Sequence, residues 1–219
     1  MAELMLAISL FTLTHGLAAV RPIRVVCIRC LGERLYITIF SAVSLGMLVW
    51  LGSAYAAAPY IEIWPYVPAF KWIPIVIMPA ACVLLIAGLT TPNPFSLGAG
   101  AAGFDPDRPG IVGITRHPAV WALFLWSVSH IPINGDAASL IVFGLLSGLA
   151  PAGIISLDAK RKCTMGAEVW RGQSAKVRRL AKTVALHQTG WRRLAAGLVL
   201  YGALLSAHEL VIGISPLPQ

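Results

Sequence analysis

Carboxylates are scarce in this chain, with nine Asp and Glu among 219 residues. Paired-carboxylate acid–base sites and oxygen cages for magnesium or calcium need several acids close together, and no stretch supplies them. Charge of either sign is low, at 12% of residues against about 25% in an ordinary soluble domain. With 58% hydrophobic residues, that excludes a soluble globular fold and points to the membrane. No internal repeat, Ser-His-Asp set or phosphate-cradling loop stands out. The glycines of "SLGAGAAGF" follow no strand, so they do not make a dinucleotide fingerprint.

What is abundant is apolar sequence. Six runs stand out, at residues 4–20, 35–57, 72–90, 119–133, 137–157 and 194–214. Most reach or approach the roughly 20 residues that span a bilayer core. The fourth is short, which a tilt or local thinning of the bilayer accommodates. Arg21, Arg24, Arg29 and Arg34 lie between the first two runs, and Arg108 and Arg116 between the third and fourth. Ten more Lys and Arg, from Lys160 to Arg193, lie between the last two, and Lys71 alone falls elsewhere. Sixteen of the seventeen basic residues therefore sit in alternate connections, the signature of cytoplasmic loops. The expectation is an all-α, polytopic transmembrane helical bundle of six spans, a single domain over 1–219 with both termini outside.

The first run is expected to be retained as a span. Glu3 precedes it with no basic residue, and Arg21 and Arg24 follow. Trp50, Tyr55, Tyr60, Trp64, Tyr66, Trp72 and Trp191 gather near run ends, as in an aromatic belt. The formal net charge of +8 could suit nucleic acid, but its placement follows the spans, so nucleic acid is not the expected partner. The basic stretch "WRGQSAKVRRLAK" instead suits an anionic lipid leaflet, where each cation contributes about 1 kcal/mol. Prolines at 59, 65, 68 and 74, and the Pro/Gly mixture of 91–110, mark connections. Asp136 stands where it would cap the fifth span.

Cys27 and Cys30 form Cys-x-x-Cys, which alone makes neither a four-ligand zinc site nor a thioredoxin motif. With Cys82 and Cys163 they are expected to be free thiols. Histidines carry more. His15, His117, His130 and His208 lie in or at the spans, and His187 lies in the basic stretch. A histidine in lipid is costly unless it faces the bundle interior, where it serves a site or a helix-packing hydrogen bond. His117 and His130 are thirteen residues apart, about 20 Å along a helix and about 140° around it, so they cannot share one small ligand. Depth pairs His15 with His117 near one membrane face and His130 with His208 nearer the other.

"FTLTHGLAAVR", "PFSLGAG…FDPDRPGI", "GITRHPAVWALFLWSVSHIPINGDAASLIVFG" and "AHELVIGISPLPQ" resemble the NnrU family of bacterial membrane proteins over nearly the whole chain. The resemblance implies the inner (cytoplasmic) membrane and a link to denitrification, the reduction of nitrite and nitric oxide. It also implies respiratory nitrogen-oxide reductase components as partners. A plant relative, the 15-cis-zeta-carotene isomerase, is similar to a haem b enzyme with two histidine ligands, and its ligand positions match His15 and His130. Neutral imidazole is a normal axial ligand to haem iron. On that resemblance His15 and His130 are the leading haem ligands, followed by His208 and His117. The relative carries a cysteine one turn before the second histidine where this chain has Ser127, which sets it apart from a thiolate-switched isomerase. Arg116-His117-Pro118 is also similar to the opening of isoprenylcysteine methyltransferase-type proteins, where Arg116 and His117 would hold S-adenosylmethionine. The basic stretch lacks the tyrosine that such a cofactor segment shows. A proline at a first helical turn is ordinary in any helix. Three functions stay open: a haem-binding redox or assembly protein, a membrane isomerase or methyltransferase, and a cofactor-free membrane partner of a reductase.

Overall fold

The computed structural model describes residues 1–218, the side chains of Ala19 and Arg21 excepted. Gln219, the carboxyl end expected outside, and the Arg21 side chain fall beyond what is described. Nine α-helices are present among the described residues, and all six apolar runs lie on helices. The helices are α1 Ala2–Ala19, α2 Arg21–Leu31, α3 Glu33–Ala56, α4 Trp72–Thr90 and α5 Pro118–Asn134. They continue with α6 Ala137–Met165, α7 Ala167–Arg179, α8 Lys182–Thr189 and α9 Trp191–Ile212. Four stretches are long and apolar enough to cross a membrane: 33–56, 68–90, 137–165 and 191–212. A fifth counts if the pair α1 and α2, bent by 80°, is one span. The fourth run forms the 17-residue α5, about 25 Å long.

Helix ends follow local chemistry. Pro118 opens α5 where its missing N–H would be unpaired in any case. Asp136 caps α6 as expected, its Oδ1 accepting the Ser139 N–H at 3.0 Å. The connections hold more helix than their composition suggested. α2 occupies the first basic connection, and α7 and α8 occupy the last. Gly166 and Gly190, each at φ +85°, turn the chain directly from one helix into the next, a conformation essentially reserved to glycine.

The chain forms two compact units, residues 1–64 with 136–142 and residues 65–135 with 143–219. In the first, α1 packs on α3 and α2. There Tyr55 hydrogen-bonds Ser139 at 2.7 Å, and the Ala137 N–H donates to the Ile61 carbonyl at 2.9 Å. In the second, α4 is central and packs on α5 and α9. Glycine permits both approaches: a Cβ on Gly88 would lie 2.8 Å from the Ala119 nitrogen, and one on Gly197 would lie 2.9 Å from the Val83 nitrogen. Small residues at such crossings replace hydrophobic burial, which lipid cannot drive. Outward faces stay apolar, with Val43, Leu45, Val49, Val76, Leu198 and Val199 exposed.

The best-buried core of the second unit lies among its connections. Phe95, Ile111 and Val112 come from the 91–117 connection, Ala87 from α4 and Val177 from α7. Trp170, Phe104, Leu84 and Ile114 pack around them. Asn93 pins the connection: its N–H donates to the Gly100 carbonyl, its Oδ1 accepts the Phe95 N–H, and its Nδ2 donates to the Arg116 carbonyl. Lys182 donates to the Gly113 carbonyl at 2.6 Å, and Arg193 to the Thr90 carbonyl at 3.2 Å. The third and fifth connections therefore meet at one end of this unit, in keeping with their shared basic character.

Candidate functional site: a buried His–Asp–Arg junction and three helix-borne imidazoles

Arg116 and His117 come together at the foot of α5 on a residue that sequence reasoning passed over. Asp158, near the end of α6, accepts from Arg116 Nη2 at 2.7 Å through Oδ2 and from His117 Nε2 at 3.0 Å through Oδ1. An ionised carboxylate only accepts, so the His117 ring carries its proton on Nε2 and its lone pair on Nδ1. His117 is 2% exposed, and its Nδ1 has no partner. Burial pushes the His117 pKa below the ordinary histidine value, while the bond to Asp158 opposes that shift. The ring is therefore neutral at pH 7.

The junction extends along α6 and α7. The Arg116 guanidinium lies 5.3 Å from the Trp170 ring centre, and the Lys162 ammonium lies 5.5 Å from it. Arg161, three residues after Asp158, donates from Nη2 to the Ser96 carbonyl at 3.0 Å. The sequence signal for this junction was Asp158 itself, the lone acid where an apolar run gives way to "KRK". Reading that position as the end of a span hid it.

Three other histidines share one geometry. His15 Nδ1 lies 2.8 Å from the Phe11 carbonyl, His130 Nδ1 lies 2.7 Å from the Trp126 carbonyl, and His208 Nδ1 lies 2.8 Å from the Ile214 carbonyl. A carbonyl fixes the proton on Nδ1 and leaves the lone pair on Nε2, the tautomer of a metal-binding imidazole. The first two partners are one turn back on the same helix. His208 reaches forward instead, because Gly213 at φ +81° ends α9 and turns the tail back toward the ring. His15 packs on Phe11 and Phe40 in the first unit. His130 stacks on Phe143, with ring centres 5.4 Å apart, beside Trp126 in the second.

His130 and His208, the pair that depth suggested, both belong to the second unit. His15, paired with His130 by resemblance, belongs to the other unit. His187 is exposed on α8. Ser127 is buried, and its hydroxyl donates back to the Leu123 and Phe124 carbonyls, so it offers no replacement for a thiolate ligand. Cys27, Cys30 and Cys82 are free thiols, as expected. Among the described residues no group of three or more His, Cys, Asp or Glu could hold a metal ion.

Long apolar helices with lipid-type outer faces define a multi-pass helical membrane protein. Within that class the chain belongs to the NnrU family, whose model, described as NnrU protein, matches residues 3–216. Neither a curated protein nor a solved structure matches it.

Proposed function

We propose that this NnrU-family protein binds haem b within the bilayer, with His130 as an axial ligand, and serves nitrogen-oxide respiration. One observation carries the reading: the three helix-borne imidazoles are held by carbonyls at Nδ1, with the lone pair left on Nε2. The donor set fits the group, since imidazole without oxygen ligands suits haem iron better than a hard cation. Bound there, haem would supply a one-electron couple. The Trp126 carbonyl fixes the His130 tautomer, and Phe143 and Trp126 hold the ring plane. His208 is the favoured second ligand because it belongs to the same unit as His130 and its Nδ1 is likewise held by a carbonyl.

The family's association with denitrification supplies the process and the reductase partners. Methyl transfer is the weaker reading, because Arg116 and His117 both turn to Asp158.

Purified protein expressed with ample haem is expected to show a Soret band with low-spin features on reduction. His130→Ala removes it, His208→Ala converts or removes it, and His187→Ala leaves it unchanged. Loss in His15→Ala with retention in His208→Ala would move the second ligand to His15. A wild-type protein without a Soret band would refute the proposal.

The proposal includes six spans in a bacterial inner membrane, with α1 and α5 crossing and both termini outside. The placement of sixteen of the seventeen basic residues supports it. Reporter fusions after Ala57 and at the carboxyl end are expected to read out as periplasmic, and a cytoplasmic signal at either refutes that topology.

A further inference from the structure

The junction at the foot of α5 holds more hydrogen-bond donors than it uses. Arg116 Nε and Arg161 Nε are buried with no acceptor, as is Trp170 Nε1. The hydroxyls of Ser96 and Ser174, residues 1% and 0% exposed, also have no partner. These groups belong to one connected neighbourhood. Arg116 and Lys162 stand over the Trp170 ring. Arg161 binds the Ser96 carbonyl, and Ser174 follows Trp170 by one turn of α7. Three of these groups can only donate and the two hydroxyls can donate; beside the unpaired His117 Nδ1 and Gln173 Oε1, donors are in excess, which suits a partner rich in acceptors. Charge gives its sign: Arg116, Arg161 and Lys162 outnumber Asp158, while His117 is neutral.

We propose that this cluster binds a phosphate-bearing anion. Several acceptor oxygens on one anionic centre match donors arriving from the 91–117 connection, from α6 and from α7, and guanidinium groups recognise such oxygens by direction as well as charge. Arg116 and Lys162 both stand at the Trp170 ring, and Asp158 holds Arg116 through Nη2, leaving its Nε unused. Both a lipid headgroup and a soluble phosphate carry this chemistry. The site goes beyond the haem reading and uses none of its ligands.

The test uses the full-length protein in neutral detergent. Thermal stability and calorimetric binding are followed with inorganic phosphate, dioctanoyl-phosphatidylglycerol and, as a zwitterionic comparison, dioctanoyl-phosphatidylcholine. A saturable rise in Tm with phosphate or phosphatidylglycerol is expected, weakened at least tenfold in Arg161→Met. Arg192→Met, a basic residue outside the cluster, leaves the affinity unchanged. Ser174→Ala serves as a second, small variant. It raises the Tm of the ligand-free protein by removing an unpaired hydroxyl, yet weakens binding several-fold. A response to phosphatidylglycerol alone identifies a lipid headgroup, and a response to inorganic phosphate identifies a soluble source. Equal losses in Arg161→Met and Arg192→Met would reduce the effect to diffuse surface charge and overturn the proposal. So would the absence of saturable binding by either probe. Neither result touches the Soret band on which the haem reading stands.

Discussion

Replacing Asp158 by Ala removes one acceptor and strands two donors. His117 Nε2–H is almost fully buried, so losing its bond to a carboxylate costs about 1.5–3 kcal/mol. The Arg116–Asp158 pair is less valuable than its 2.7 Å contact suggests. Its side chains are 20% and 24% exposed, and pairs that water reaches contribute about 0–1 kcal/mol. The expected total is about 2–3 kcal/mol. For a chain of this size that lowers Tm by about 5–10 °C, read by tryptophan fluorescence during thermal unfolding in detergent. Asp158→Asn keeps one acceptor oxygen and falls between wild type and Asp158→Ala. The pH dependence has a definite sign. The folded His117 pKa is lowered, so below about 6.5 the unfolded chain takes up a proton that the folded one refuses. The stability associated with His117 is complete at neutral pH and is lost as pH falls through 6.5 toward the folded value. Without the Asp158 charge the folded value drops further, and the acid loss extends to lower pH. A melt of Asp158→Ala within about 2 °C of wild type would refute this account. So would simple additivity of Asp158→Ala with His117→Ala, because residues sharing a hydrogen bond must couple.

The α4 crossings give a contrast measurable by the same melts. Gly197→Ala drives a Cβ to within 2.9 Å of the Val83 backbone nitrogen, which cannot swing aside, and is expected to cost about 1–3 kcal/mol. Gly88→Ala meets the Ala119 nitrogen at 2.8 Å and falls in the same range. Gly202→Ala, on the same helix as Gly197 with nothing within 4 Å, is expected to gain about 0.5–1 kcal/mol from helix propensity. If Gly197→Ala proves as mild as Gly202→Ala, close α4–α9 packing does not hold that unit together.

Much of the fold was legible because a bilayer leaves few options. Backbone polar groups in lipid must be satisfied within the segment, so an apolar run of sufficient length reads directly as a helix, and all six runs lie on helices. The connections were harder to read. Pro and Gly at 91–110 mark departures from regular structure, but they do not reveal that Asn93, Phe95 and Ile111 are the best-buried residues there. Helices α7 and α8 were hidden differently. Their basic residues suit a solvated or lipid-facing surface, and the inner face is marked by Val177 and Ala185 with the small polar residues Ser174 and Thr189.

The site divides along the same line. Histidines in apolar runs were conspicuous because ionisable groups are rare there, and depth counted from helix rise paired His130 with His208, which both fall in the second unit. That reasoning needed only distances along helices. Asp158 required knowing which connection folds onto which, a tertiary fact that helical periodicity does not encode. The same holds for Arg116, which at sequence level stood beside His117 as half of a cofactor motif. Once Asp158 bonds both, the motif becomes a joint that fixes the foot of α5 against the end of α6. The unpaired Nε of Arg116 then lies among groups drawn from α6, α7 and the 91–117 connection. The histidines of the proposed haem site and this joint share no residue, so the two proposals stand or fall separately.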